Sequence, residues 1–307
     1  MITFEQVSYK KLGNCLKMSN GKLEAVITLD FGPRIIRAGF TGGENFFFED
    51  EENVLRNDKL GADCGFHSSV FDLAGGHRLW ISPEAMPRTY YPDDLPVAWE
   101  KTDNGVILTP PPQERNGFQL QMIVTMQEEN QITVEHLVTN VGLWPVKFAP
   151  WAISMMIKGG KEVIPVNDAD TGYLNNRHVE LWPYTKMTDD RIYWGDRYLV
   201  LSQDENATFP FKMGMKQDYP WAAYFVHGDL FIKRYCLEDG AEYPDHGCSY
   251  ETYTNNLFCE MESLGAYREV AVGETVSHTE VWDFYQNVAF PGTDEEKLDE
   301  FAKEYME

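Results

Sequence analysis

Over residues 257–284 the chain reads LFCEMESLGAYREVAVGETVSHTEVWDF, with side chains of alternating character on either side of a turn at Gly273-Glu274. Alternation with period two is the mark of a strand, because successive side chains leave a pleated backbone on opposite faces. In the first half Phe258, Glu260 and Glu262 share one face, and Leu257, Cys259 and Met261 the other. In the second half Val276, His278, Glu280, Trp282 and Phe284 share a face. Two carboxylates on one side of an otherwise apolar strand are costly to bury unless they are paired or have chemistry to do. Such a chain has to build sheets and has to find partners for those carboxylates.

The same punctuation runs through the rest of the chain. Asn20-Gly21 between residues 15–19 and 23–29 predicts a hairpin. Further strands are expected at 2–9, 33–40, 45–48, 97–101, 106–109, 117–127, 131–138, 146–156, 198–202, 211–215, 221–226 and 230–235. Residues 49–96 break the pattern, with Gly75-Gly76-His77-Arg78-Leu79-Trp80 and Tyr90-Tyr91 among scattered Gly and Pro. A long irregular segment of this kind is expected to form a ligand-binding rim. Residues 172–195 and 242–249 also read as loops. Over 293–305, Thr293 as N-cap with Glu296 at N3 predicts the one helix, and Leu298, Phe301, Ala302 and Tyr305 share a face. About eighteen short strands with one terminal helix, and no linker or short repeat, predict an all-β sandwich formed as a single domain over residues 1–307.

Charge narrows the class of partner. With 26 Lys+Arg against 49 Asp+Glu the formal net charge is −23, which repels phosphate backbones and anionic membranes and favours a neutral ligand. No stretch has the length of a membrane span, and the first residues lack an apolar signal core, so a cytoplasmic location is expected. The 5 cysteines form no C-x-x-C pair and the 7 histidines show no ligand spacing, so neither metal nor cofactor is expected.

What remains is carboxylate, His and Arg chemistry beside aromatics. Glu260 is a candidate general base, with Glu262 next, since a Glu in a partly apolar site can have its pKa raised toward the working range. His77 is a candidate acid or hydrogen-bond donor and Arg78 a donor to a ligand oxygen. The competing readings are a loop-orienting hydrogen bond for His77, an ion pair for Arg78, and a buried pair of Glu260 with Lys233 or Arg234.

The order GPRIIRAGF, GGHRLWISPE, HLVTNVGLWPVKFAPWAISMM, ELWPYTKMTDDRIYWG, PWAAYFVHGDLFIKRY and YPDHGCSYETYTNNLFCEMESLGAY, ending in VGETVSHTEVW, resembles the galactose mutarotase-like superfamily of aldose 1-epimerase relatives. Within it the chain is most similar to a bacterial branch marked by G-G-H-R-L-W and W-P-Y-T. The resemblance implies a β-supersandwich with a sugar held in a cleft. A strand Glu would take the anomeric hydroxyl proton while a His protonates the ring oxygen. Glu260 matches the position of that base, and His77 and Arg78 lie in the early loop that carries sugar-binding His and Arg. Where the acid His is expected, this chain has Pro150-Trp151-Ala152. Acid catalysis would then come from His77, Tyr243 or Asp245, with Arg78 and Lys233 holding hydroxyls or a carboxylate and Trp80 or Trp151 as stacking platform. The function implied is carbohydrate binding with epimerase-type chemistry at the anomeric centre. The alternatives are a non-catalytic carbohydrate-binding or regulatory module, or a lyase or isomerase on uronate-containing glycans.

Overall fold

The computed structural model describes residues 2–126 and 129–306; Gln127, the end of an expected strand, lies outside them. Two antiparallel sheets carry almost all the regular structure. The larger runs Thr3–Ser8, Asn14–Ser19, Leu23–Thr28, Ile35–Phe40, His77–Ser82, Val146–Met156, Cys259–Leu264, Tyr250–Thr254, Phe211–Met215, Val179–Leu181. Arg268–Val270 also pairs with the start of Val146–Met156. The other runs Ile192–Trp194, Tyr198–Ser202, Lys161–Pro165, Trp221–Val226, Asp229–Tyr235, Thr275–Tyr285, Gln131–Asn140, Phe118–Met126, Gly105–Thr109, Ala98–Lys101. One continuous apolar cluster lies between the sheets, drawing Leu79, Phe148, Met156, Phe211 and Met261 from one and Val134, Phe231, Trp282 and Phe284 from the other. The architecture is the all-β sandwich that the alternation predicts.

The short helix Glu295–Tyr305 covers the far side of the smaller sheet, where Leu298 and Phe301 pack with Val163, Trp221 and Phe225. Its N-cap is Asp294, whose carboxylate accepts from the Lys297 backbone N–H, so the cap sits one residue later than the expected Thr293. An aspartate at that place caps at least as well as threonine and adds charge favourable to the helix dipole. Among the described residues no helix is long and apolar enough to cross a membrane.

The largest departure from expectation is His77–Ser82. It lies inside the segment read as irregular, yet it is a central strand with all six residues buried. A strand covered on both faces need not alternate, so period two fails as a signal there. Lys161–Pro165 and Tyr250–Thr254 are further strands that pattern reading did not pick out. The expected strand at 45–48 is reduced to one bridge, Phe47 to Met156, with a second just beyond it from Glu49 to Gly75.

Gly75 and Gly76 feed the chain into this central strand with φ of 100° and 70°. A Cβ on Gly76 would stand 2.5 Å from the Ile35 carbonyl oxygen, a fixed backbone atom. Gly76→Ala therefore combines left-handed strain with a backbone clash. Its expected cost is about 2 kcal/mol or more in urea unfolding, and a value near zero would contradict this account of the strand entry.

Candidate active site on one face of the larger sheet

Five adjacent strands, His77–Ser82, Val146–Met156, Cys259–Leu264, Tyr250–Thr254 and Phe211–Met215, share their residues between two faces. The core face takes His77, Leu79, Ser154, Met156, Cys259, Met261, Tyr250, Thr252 and Phe211. The opposite face takes the residues between them. Register fixes three rows there: Trp80–Trp151–Leu264, then Arg78–Ile153–Glu262–Glu251–Gly214, then Met155–Glu260–Tyr253–Lys212. Each row crosses the sheet, and side chains of adjacent rows also meet, as Arg78 and Glu260 do although 182 residues separate them.

The charged groups on this face form two linked sets. Arg78 Nη2 donates to Glu260 Oε1 at 3.0 Å, and its guanidinium lies 4.2 Å from the Trp80 ring centre. Lys212 Nζ meets Glu251 Oε2 at 2.8 Å and Glu262 Oε2 at 3.0 Å. The lysine also sits 4.7 Å from the ring centres of both Trp151 and Trp182. Trp151 Nε1 donates to Glu262 Oε2 at 2.9 Å. Gly214 makes room for this arrangement: a Cβ there would press on Glu251 Cγ at 3.2 Å and on Cys248 Sγ at 2.6 Å. Trp182 comes from the 172–195 segment, which Thr185 ties to the backbone of Lys212 on both its N–H and its carbonyl.

These groups are taken almost wholly out of water. Glu260 is 8 % exposed, Lys212 4 %, Arg78 2 %, Glu251 1 % and Glu262 0 %. Burial pushes the Glu260 carboxyl above its ordinary range, opposed by Arg78 and helped by Glu262. Burial also pushes Glu251 up, to about 8; Lys212 opposes this, but Glu262 shares the same lysine. One ammonium cannot neutralise two carboxylates, which leaves Glu251 inclined to hold a proton. Burial works against the Lys212 ammonium too, yet the two glutamates overcome it and hold its pKa well above the usual value.

Among the described residues, four buried polar atoms on this face have no hydrogen-bond partner: Nε and Nη1 of Arg78, Oε1 of Glu251 and Oε1 of Glu262. Leaving a buried donor or acceptor unpaired costs about 1–3 kcal/mol each, and more for charged groups. The two Arg78 donors, the Glu262 acceptor and the Glu251 carboxyl oxygen stand beside Trp80, Trp151 and Trp182 with hydrogen-bonding capacity left unused.

His77 and Lys233 lie elsewhere. Being one residue from Arg78, His77 points to the core face, so strand parity separates it from Glu260. It is fully buried, with Nδ1 2.8 Å from Ser154 Oγ and Nε2 2.7 Å from His136 Nε2. His136 Nδ1 must donate to the His278 carbonyl, which can only accept, so His136 Nε2 is an acceptor and His77 Nε2 carries the proton. Ser154 then donates to His77 Nδ1. Burial and the neighbouring His136, Lys233 and Arg78 push the His77 pKa well below its ordinary value, which keeps the ring neutral.

Lys233 Nζ pairs with Glu280 Oε1 at 2.8 Å and donates to the Met261 carbonyl. Ser263 and Trp282 Nε1 supply the other hydrogen bonds to Glu280. His77, His136 and Glu280 place potential metal-ligand atoms within 4.8 Å of one another. Their lone pairs are engaged by these hydrogen bonds, and Lys233 already provides the positive charge. The competing reading of Glu260 as a buried pair holds with a different partner: Arg78 takes Glu260, while Lys233 takes Glu280 and Arg234 takes Asp283.

The structure thus brings Arg78, Trp80, Trp151 and Glu260 to one face and puts His77 and Lys233 behind the sheet. Asp245 stands at the edge of the site face, accepting from Ser82 at 3.3 Å. The Tyr243 hydroxyl accepts from the Glu238 backbone N–H within its own loop. Glu251 and Lys212 were not among the residues the sequence singled out. The only signal for Glu251 was the alternation Tyr250-Glu251-Thr252-Tyr253-Thr254, immediately after a polar loop.

No family model and no curated protein matches the chain. Solved structures do. A galactose mutarotase-like protein from Clostridium acetobutylicum superposes with a TM-score of 0.55 at 11% identity over 93% of this chain and 98% of that one. Another from Lactobacillus casei gives 0.55 at 11% identity over 88% and 100%. The fold is galactose mutarotase-like. The chain also spans about half, 47%, of a TPR-domain containing protein from Parabacteroides distasonis, with 89% of this chain matched at 12% identity and a TM-score of 0.58. Identities this low speak for the fold alone, so chemistry on the galactose mutarotase-like scaffold is read from this chain's own residues.

Proposed function

We propose that the site face binds carbohydrate, a neutral mono- or oligosaccharide, and that the protein is a sugar-active enzyme of aldose 1-epimerase type. The observation that carries this reading is the set of unpartnered buried atoms on Arg78, Glu251 and Glu262 beside indole rings. Hydroxyls both donate and accept, and the apolar face of a pyranose suits an aromatic wall. Glu260 takes the proton of the anomeric hydroxyl. Arg78 orients its carboxylate through Oε1, which leaves Oε2 for the substrate. The same reading treats residues 1–307 as one domain that works in the cytoplasm without a cofactor.

Trp151 stands where an acid histidine is expected, and this favours a second reading, a binding module without turnover. Magnetisation-exchange NMR on a panel of neutral aldoses separates the two. The enzyme reading expects anomer exchange faster than the buffer rate for at least one sugar. Ligand-induced thermal stabilisation without exchange supports the module, and neither effect for any sugar overturns both.

A further inference from the structure

A reaction that opens a pyranose ring needs a proton for the ring oxygen as well as a base for the anomeric hydroxyl. His77, on the core face, cannot reach a sugar held on the site face. Trp151 donates its one N–H to Glu262 and holds no acidic proton. Tyr243 is engaged in its own loop. The site face nevertheless contains a third carboxyl, and its position is distinctive. Glu251 lies directly opposite Glu262 and diagonal to Glu260 across the same strand pair. Diagonal neighbours on a sheet face are about 7–8 Å apart.

Resting on the reading above, we propose that Glu251 is the proton donor to the ring oxygen, and so the partner of Glu260 in the reaction. Glu251 Oε2 is held by Lys212, while Oε1 is buried and has no partner among the described residues. A proton on Oε1 is therefore not committed to any described protein group and is free to pass to a ligand. The groups facing Glu251 are Lys212 from Phe211–Met215, Glu262 from Cys259–Leu264, and Asp245 and Cys248 from the preceding loop. Burial, with Glu262 and Asp245 adding to it against Lys212, places the Glu251 pKa at about 8, so the carboxyl is largely protonated at neutral pH. When it gives up that proton, Lys212 at 2.8 Å stabilises the carboxylate that forms.

The proton count closes. Glu260 removes the proton from the anomeric hydroxyl, the C1–O5 bond breaks as C1=O1 forms, and Glu251 protonates O5. After rotation about C1–C2, the O5 hydroxyl attacks the other face of the carbonyl. Glu251 takes back its proton and the protonated Glu260 returns one to O1. No external acid, base or redox partner is consumed.

The test compares wild type with Glu251→Gln, which keeps shape and a hydrogen-bonding amide but has no proton to give. The expected result is a loss of about 10²-fold or more in kcat with KM little changed, and disappearance of the alkaline fall in the wild-type pH–rate profile. A Glu251 that merely anchors Lys212 predicts a lower melting temperature, a kcat within a few-fold of wild type and an intact alkaline limb; that result overturns the proposal. Infrared difference spectra between acid and alkaline pH supply a readout independent of turnover. Wild type should show a protonated-carboxyl band lost near pH 8 and absent from Glu251→Gln, and its absence from wild type also overturns the proposal. A wild type with no exchange at all sinks the enzymatic reading itself, and the donor role with it; that outcome is distinct because it appears before any variant is made.

Discussion

Glu260→Gln is expected to slow anomer exchange by about 10³-fold while leaving the fold and sugar binding in place. Glutamine retains an Oε1 that can accept from Arg78 Nη2, so the strand and the guanidinium stay ordered. What is lost is the basic carboxylate. The effect should therefore fall on kcat rather than KM, since the interaction removed acts on the reacting proton. In wild type the rate should rise with pH as Glu260 ionises, at a pH above the ordinary carboxylate range because burial raises that group. Exchange kinetics of the two proteins across pH provide the check. A Glu260→Gln protein with a few-fold change would remove Glu260 from the chemistry.

Lys233→Met should cost about 3–5 kcal/mol of stability without touching the site face. Lys233 and Glu280 are both fully buried between the sheets, and removing one leaves the other as an uncompensated charge. Burial pushes Glu280 up, but Lys233 and hydrogen bonds more than offset this, so its folded pKa lies below the unfolded value. In wild type this contributes stability that is present above the unfolded carboxylate pKa and is lost as pH falls. Without Lys233 burial is less opposed and the folded pKa moves upward. The deficit of the variant should then be smallest in acid and grow as pH rises through the unfolded carboxylate range. Arg234, next in sequence but facing the other way and 32 % exposed on its side chain, pairs with Asp283. Arg234→Ala should cost about 1 kcal/mol or less. Urea unfolding of the two variants at several pH values measures the contrast, and equal costs would contradict it.

How much of this was legible in the sequence follows from what alternation can carry. Thr275–Tyr285 has one face in the core and the other half-covered, so His278, Glu280, Trp282 and Phe284 announced their common side. Cys259–Leu264 is buried on both faces, yet its charged Glu260 and Glu262 alternate with Cys259 and Met261 and so mark one face. His77–Ser82 is covered on both sides, and Gly75-Gly76 before it reads as loop, so neither the strand nor the parity dividing His77 from Arg78 was visible. The pairing of Arg78 with Glu260, and of Lys212 with Glu251 and Glu262, depends on strand order, which joins segments far apart in sequence. The W-P-Y-T run stood out in sequence, but that Trp182 covers Lys212 follows only from the docking of its loop through Thr185.

The proposed division of the larger sheet into a structural face and a ligand face can be tested on two indole protons. Trp151 Nε1 donates to Glu262 on the site face, and Trp282 Nε1 donates to Glu280 between the sheets. With ¹⁵N-labelled indoles assigned by Trp→Phe variants, titration of an aldose that undergoes exchange should move the Trp151 indole resonance and leave that of Trp282 in place. A Trp282 resonance that moves while Trp151 stays still would contradict the account.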